Sequence, residues 1–153
     1  MHGAALDHIG LTVPDIDAAT ILFERLLGAT RLFDLGPFQS DDDWLARHVG
    51  VHPRCVIRTL RMLQLPGGGR LELFRYEGPE TETNVPRNSQ VGGYHAAFRV
   101  PDIEATVHRA RELGLEVMGD ITLNADGPSA GLRWVYCRAP WGAQLEFVHY
   151  ATA

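Results

Sequence analysis

The chain has 153 residues, 45% hydrophobic and 22% charged, enough for one domain with a buried core or for two very small ones. Its net charge of -5, with 14 scattered Lys and Arg, argues against a nucleic-acid or anionic-membrane surface, since both need clustered basic residues. No apolar stretch approaches the roughly 20 residues that span a bilayer, and MHGAALDH lacks a basic region followed by an apolar one, so a soluble cytoplasmic protein with small-molecule partners is expected.

In chain order, Leu6 to Val13 reads as a strand that Pro14 stops, and Asp15 is a natural N-cap. Ile16, Ala19, Phe23 and Leu26 follow at helical spacing, and Gly28 ends the helix. The runs CVIRTLRMLQL and RLELFRY then read as strands. Before them lies a long segment, 36–54, in which the acidic Asp41 to Asp43 precede Trp44, Arg47, His48 and His52. A loop of that length is usually functional or mobile, which makes it a candidate lid. Residues 78–92 are polar, carry two prolines and read as a linker. The pattern then repeats: a strand from Tyr94 to Val100, a cap at Asp102, helical positions Ile103, Val107, Ala110 and Leu113, a stop at Gly114, and the strand-like LRWVYCRA and AQLEFVHY.

The repetition extends to the letters. HIGLTVPDIDA from His8 matches HAAFRVPDIEA from His95, 87 positions on. LPGGGRLELFRY matches APWGAQLEFVHY 74 positions on, setting Glu72 against Glu146 and Tyr76 against Tyr150. Each half is therefore expected to be a strand, a helix and three strands, with modules at 5–77 and 93–151 making a single α+β domain over 1–153. Cys55 and Cys137 lie in strand-like runs without CxxC spacing and read as buried thiols.

Alternation along a strand puts His8, Gly10 and Thr12 on one face and Ile9, Leu11 and Val13 on the other, against the helix. His95, Glu72 and Glu146 likewise face away from their apolar neighbours. A buried carboxylate without a partner costs several kcal/mol, so glutamates on inner faces need company, and a divalent metal is one candidate. Imidazole with carboxylate suits Zn, Ni, Co, Mn or Fe(II), and four such ligands leave two octahedral positions for water or a chelating substrate. A lone strand histidine is ordinarily a hydrogen-bonded core residue; two copies of His-then-Glu in one register are not ordinary.

LDHIGLTVPDID, GRLELF, YHAAFRVPDIEA and APWGAQLEF together resemble the four ligand-bearing segments of the vicinal oxygen chelate superfamily, which includes glyoxalase I, methylmalonyl-CoA epimerase, extradiol dioxygenases and fosfomycin-resistance proteins. The resemblance covers nearly the whole chain. It implies two βαβββ modules whose curled mixed sheets form a cup for one metal, with His8, Glu72, His95 and Glu146 as ligands. Four ligands of this kind resemble the isomerase and epimerase branch, where a metal steadies an enolate, Glu72 or Glu146 removes a proton beside a carbonyl and the other returns it. Edges left open by such sheets further imply a homodimer.

Other residues invite roles. Tyr76 and Tyr150 share the faces of Glu72 and Glu146 and could bond substrate, though strand tyrosines are commonplace. Arg58 and Arg61 are expected on opposite faces, so that one points inward toward an anionic group. Trp44 belongs to the candidate lid, and His149 reads as a surface or helix-packing residue. Two further functions stay open. VYCRAPWGAQLE resembles the later part of the extradiol dioxygenase signature, with Tyr136 and Glu146 in place, but Gly127 to Ser129 stand where that signature has a catalytic histidine. A drug-sequestering binder built on the same cup is the other.

Overall fold

The element order runs β1 (Ile9–Thr12), α1 (Ile16–Leu27), β2 (Thr30–Leu35), α2 (Trp44–Val49), β3 (Val56–Gln64), β4 (Arg70–Glu77), β5 (Ala96–Arg99), α3 (Ile103–Glu112), β6 (Glu116–Leu123), β7 (Leu132–Arg138) and β8 (Gln144–Tyr150). These come from a computed structural model that describes residues 3–81 and 85–151. Part of the expected linker, 82–84, lies outside the described residues. The chain divides into two compact units, Met1–Glu82 and Thr83–Ala153. Each holds one four-stranded mixed sheet, β1-β4-β3-β2 in the first and β5-β8-β7-β6 in the second. The fold is α+β, two βαβββ modules, the first with the short helix α2 inserted.

Local chemistry accounts for the elements. The Asp15 carboxylate accepts from the backbone N–H groups of Asp17 and Ala18, and Gly28 closes α1 with a left-handed φ of 69°. Asp102 caps α3 through the Ala105 N–H. Each helix packs one stripe on its own sheet: Ile16, Ala19, Phe23 and Leu26 with Leu11, Leu63, Leu71 and Leu73 in the first unit, and Ile103, Val107 and Ala110 with Phe98, Val135, Leu145 and Phe147 in the second, all buried.

The first strands are shorter than the sequence suggests. The β1–β4 ladder begins at Ile9↔Leu71 and the β5–β8 ladder at Ala96↔Leu145, so His8 and His95 stand just ahead of the first paired residue. β1 and β5 are edge strands with a single parallel neighbour, and no ladder fixes the backbone before that point. The long helices α1 and α3 pack on one face of their own sheets, and the site residues lie on the other face. In the first unit that face carries Leu60, Met62, Glu72, Phe74 and Tyr76; in the second, Trp134, Tyr136, Glu146 and Val148.

Candidate metal centre

The two ladders place the glutamates identically. Glu72 pairs across with Gly10 and Glu146 with Ala97, each two residues beyond the histidine of the neighbouring strand. A small residue opposite the carboxylate leaves it room to swing toward the histidine. His8 Nε2 accordingly lies 3.1 Å from Glu72 Oε2, and His95 Nε2 lies 3.2 Å from Glu146 Oε2. The surroundings match too: the histidine side chains are 38% and 37% exposed, the glutamates 17% and 15%.

These couples fit a divalent ion. Nitrogen and oxygen ligands at about 2.1 Å from a metal and at right angles to each other are about 3.0 Å apart, close to both separations. Among the described residues no group of three or more His, Cys, Asp or Glu side chains is placed to hold a metal ion. Each unit by itself therefore brings two donors of the proposed four.

One carboxylate escaped sequence reasoning. Asp7 Oδ2 lies 2.8 Å from His8 Nδ1, and its other oxygen is 3.7 Å from Arg70 Nη1. The hydrogen bond to Asp7 raises the His8 pKa above its ordinary value, burial opposes it, and Glu72 adds to the rise. An acidic residue directly before the first histidine was the available signal; it is missing from the second copy, where Tyr94 stands instead.

Among the tyrosines, Tyr136 pairs across from Glu146 and sets its ring edge-on to His95, centroids 5.1 Å apart. Tyr76 lies four residues along β4 from Glu72 and stacks on Phe74 at 5.4 Å. Burial chiefly, then the nearby glutamate, pushes both phenols above the ordinary tyrosine pKa. Tyr150 lies at the far end of β8 with the Arg99 guanidinium 4.9 Å above its ring. Trp44 opens α2, stacked on His48 at 4.6 Å with Phe38 at its edge, and lines an open hollow of about 660 Å³ with Phe38 to Asp42. His149 bonds the Val100 carbonyl at 3.0 Å on the helix side of its sheet. Both cysteines are free and buried, and burial pushes the Cys137 thiol up to about 11.

The arginines correct an expectation. Arg58 and Arg61 do not take opposite faces, because the β3–β4 register shifts between Ile57 and Thr59 and the extra residue restores Arg58 to the side of Arg61. Arg61 is 7% exposed and is consumed by Asp34, Asp17 and Thr20 under α1. Arg58 pairs with Glu77. Neither turns to the face that carries Glu72.

Residues 7–131 match the family model described as Glyoxalase/Bleomycin resistance protein/Dioxygenase superfamily. A 2-epi-5-epi-valiolone epimerase of Actinomyces sp. is 39% identical over 146 residues, covering 95% of this chain and 79% of that protein. An ethylmalonyl-CoA/methylmalonyl-CoA epimerase of Cereibacter sphaeroides is 29% identical over 116 residues, 74% of each. Among solved structures, a glyoxalase family protein from Bacillus cereus superposes with a TM-score of 0.76 at 22% identity, covering 97% of this chain and 95% of that one. A fosfomycin resistance protein from Listeria monocytogenes, solved with Mn(II) and sulfate, gives 0.63 at 14% identity, covering 99% and 95%.

Proposed function

Because the chain belongs to the glyoxalase/bleomycin resistance protein/dioxygenase superfamily, we propose that it is a metal-dependent epimerase that moves a proton on a carbon beside a carbonyl. The observation that carries this reading is the pair of matched couples, His8–Glu72 and His95–Glu146, alike in register, separation and exposure. Both curated relatives are named as epimerases, and the substrates in their names, a ketone and acyl-CoA thioesters, carry a carbonyl. A small molecule of that kind is the proposed substrate.

His8, Glu72, His95 and Glu146 would hold one divalent ion, Zn, Ni, Co, Mn or Fe(II), which would supply positive charge beside the substrate's carbonyl oxygen. The couples of one chain, or those of a chain and a second copy, complete the set. Glu72 or Glu146 takes the proton from one face of the carbon while the bonding electrons pass into the enolate. The other glutamate, having first taken a proton from solvent, delivers it to the opposite face, which inverts the centre, and the first glutamate returns its proton to solvent. Tyr136, beside Glu146, donates to a substrate oxygen, and Tyr76 offers a second donor along β4.

The test is solvent exchange. In D₂O, with 2-epi-5-epi-valiolone and methylmalonyl-CoA as separate trial substrates, metal-loaded protein should incorporate deuterium at the epimerised carbon, read by proton NMR. Glu72→Gln and Glu146→Gln should each keep the fold and lower turnover by about 10²–10⁴-fold. Oxygen uptake with catechols and Fe(II), surviving Glu72→Gln and without exchange on any trial substrate, would overturn the epimerase reading in favour of ring cleavage.

A further inference from the structure

We propose that Asp7 is a positioning residue that fixes the His8 imidazole, so that the two matched couples are unequal and the first dominates the hold on the cation. The inference rests on the metal reading above.

Asp7 Oδ2 sits 2.8 Å from His8 Nδ1 and His8 Nε2 sits 3.1 Å from Glu72 Oε2, so the ring is held between two carboxylates. With Nδ1–H donated to Asp7, Nε2 keeps its lone pair on the side of Glu72. That tautomer and that orientation are what a metal needs, and a carboxylate behind a ligating imidazole also makes it a better donor. Asp7 is braced in turn by Arg70, the first residue of β4 and on the face of Glu72.

The internal repeat supplies the control. The second couple reproduces the first in register, separation and exposure, but Tyr94 stands in the place of Asp7 and Gln144 in the place of Arg70. Among the described residues no carboxylate meets His95 Nδ1; its ring instead meets the edge of Tyr136. Gln144 is 7% exposed, and its Oε1 has no hydrogen-bond partner among those residues. The carboxylate behind the first imidazole and the arginine beside it are thus both replaced in the second copy, while the His–Glu couple itself is kept.

The experiment is a Co(II) titration at fixed neutral pH against a chromophoric chelator, with the visible Co(II) spectrum recorded for each variant. Asp7→Ala should weaken Co(II) binding by about 10–100-fold and alter the spectrum as the ring reorients. Asp7→Asn, whose amide oxygen still accepts from Nδ1, should recover part of the loss. Tyr94→Phe should leave affinity and spectrum unchanged. The metal-free melting temperature of Asp7→Ala should equal that of the parent, since Asp7 is 66% exposed. If it falls, Asp7→Leu with parental melting decides: weaker binding and an altered spectrum support the inference, and parental binding with the parental spectrum overturns it. Asp7→Ala binding as tightly as the parent, or Tyr94→Phe losing as much as Asp7→Ala, overturns the inference and leaves the metal reading standing. A parent that binds no Co(II) overturns both.

Discussion

Arg61 shows what a single side chain does when it is withdrawn from solvent. Its guanidinium forks onto both oxygens of Asp34 at 2.9 and 2.8 Å and also bonds Asp17 and Thr20. The hydrogen bond from Arg61, chiefly, holds the Asp34 carboxyl below its ordinary pKa against the opposing pull of burial. A carboxylate whose folded pKa is depressed contributes stability that is complete above the unfolded value and lost as pH falls through the folded one. Asp34→Asn should therefore cost about 2 kcal/mol at pH 7, and the difference from the parent should shrink below about pH 4. Thermal melting at pH 7 and pH 3 checks this; an equal gap at both would contradict it. Sequence offered no route to this cluster, because Asp17, Asp34 and Arg61 come from a helix and two strands and only tertiary packing joins them.

Elements were far more legible than their partners. Val-Pro-Asp followed by apolar residues at helical spacing announces both α1 and α3, since proline stops a strand and aspartate caps a helix by local chemistry alone. Asp15→Ala should accordingly lower stability by about 1 kcal/mol in urea unfolding, and Asp102→Ala, with one accepted bond where Asp15 has two, by no more than that. The register shift between Ile57 and Thr59 was not legible, because a bulge is a property of two strands and neither strand spells it out. It is why the alternation argument misplaced Arg58. The His–Glu couples could be anticipated for the opposite reason: a repeat compares two copies of the same pairing, and strand alternation then assigns the face without knowledge of the neighbour. Asp7 was hidden because it breaks the repeat.

At the scale of the whole molecule, α1 and α3 each cover one face of their own sheet, and the opposite face keeps large apolar side chains in the open. Phe33 and Leu35 of the first unit, and Met118 and Tyr150 of the second, stay substantially exposed. Apolar surface of this kind needs cover, and the edge strands offer unpaired backbone besides, so a dimer is the expected assembly. Light scattering at micromolar concentration should report twice 16.9 kDa; a species of 16.9 kDa alone would contradict it.

The matched ladders also carry a message for heredity. Gly10 and Ala97 lie exposed, each directly across from a glutamate, and neither contributes to a core. A large side chain at either position would extend over the face that carries the glutamate, meeting the Phe74 ring first at Gly10. In a saturation library scored by function, these two sites should stand out as intolerant of large residues while scoring as neutral for abundance. The resulting fitness map should rhyme with itself, its first troughs recurring 87 codons later and its last ones 74 codons later. Where the rhyme fails, as at codons 7 and 94, the two halves have parted company in what selection asks of them.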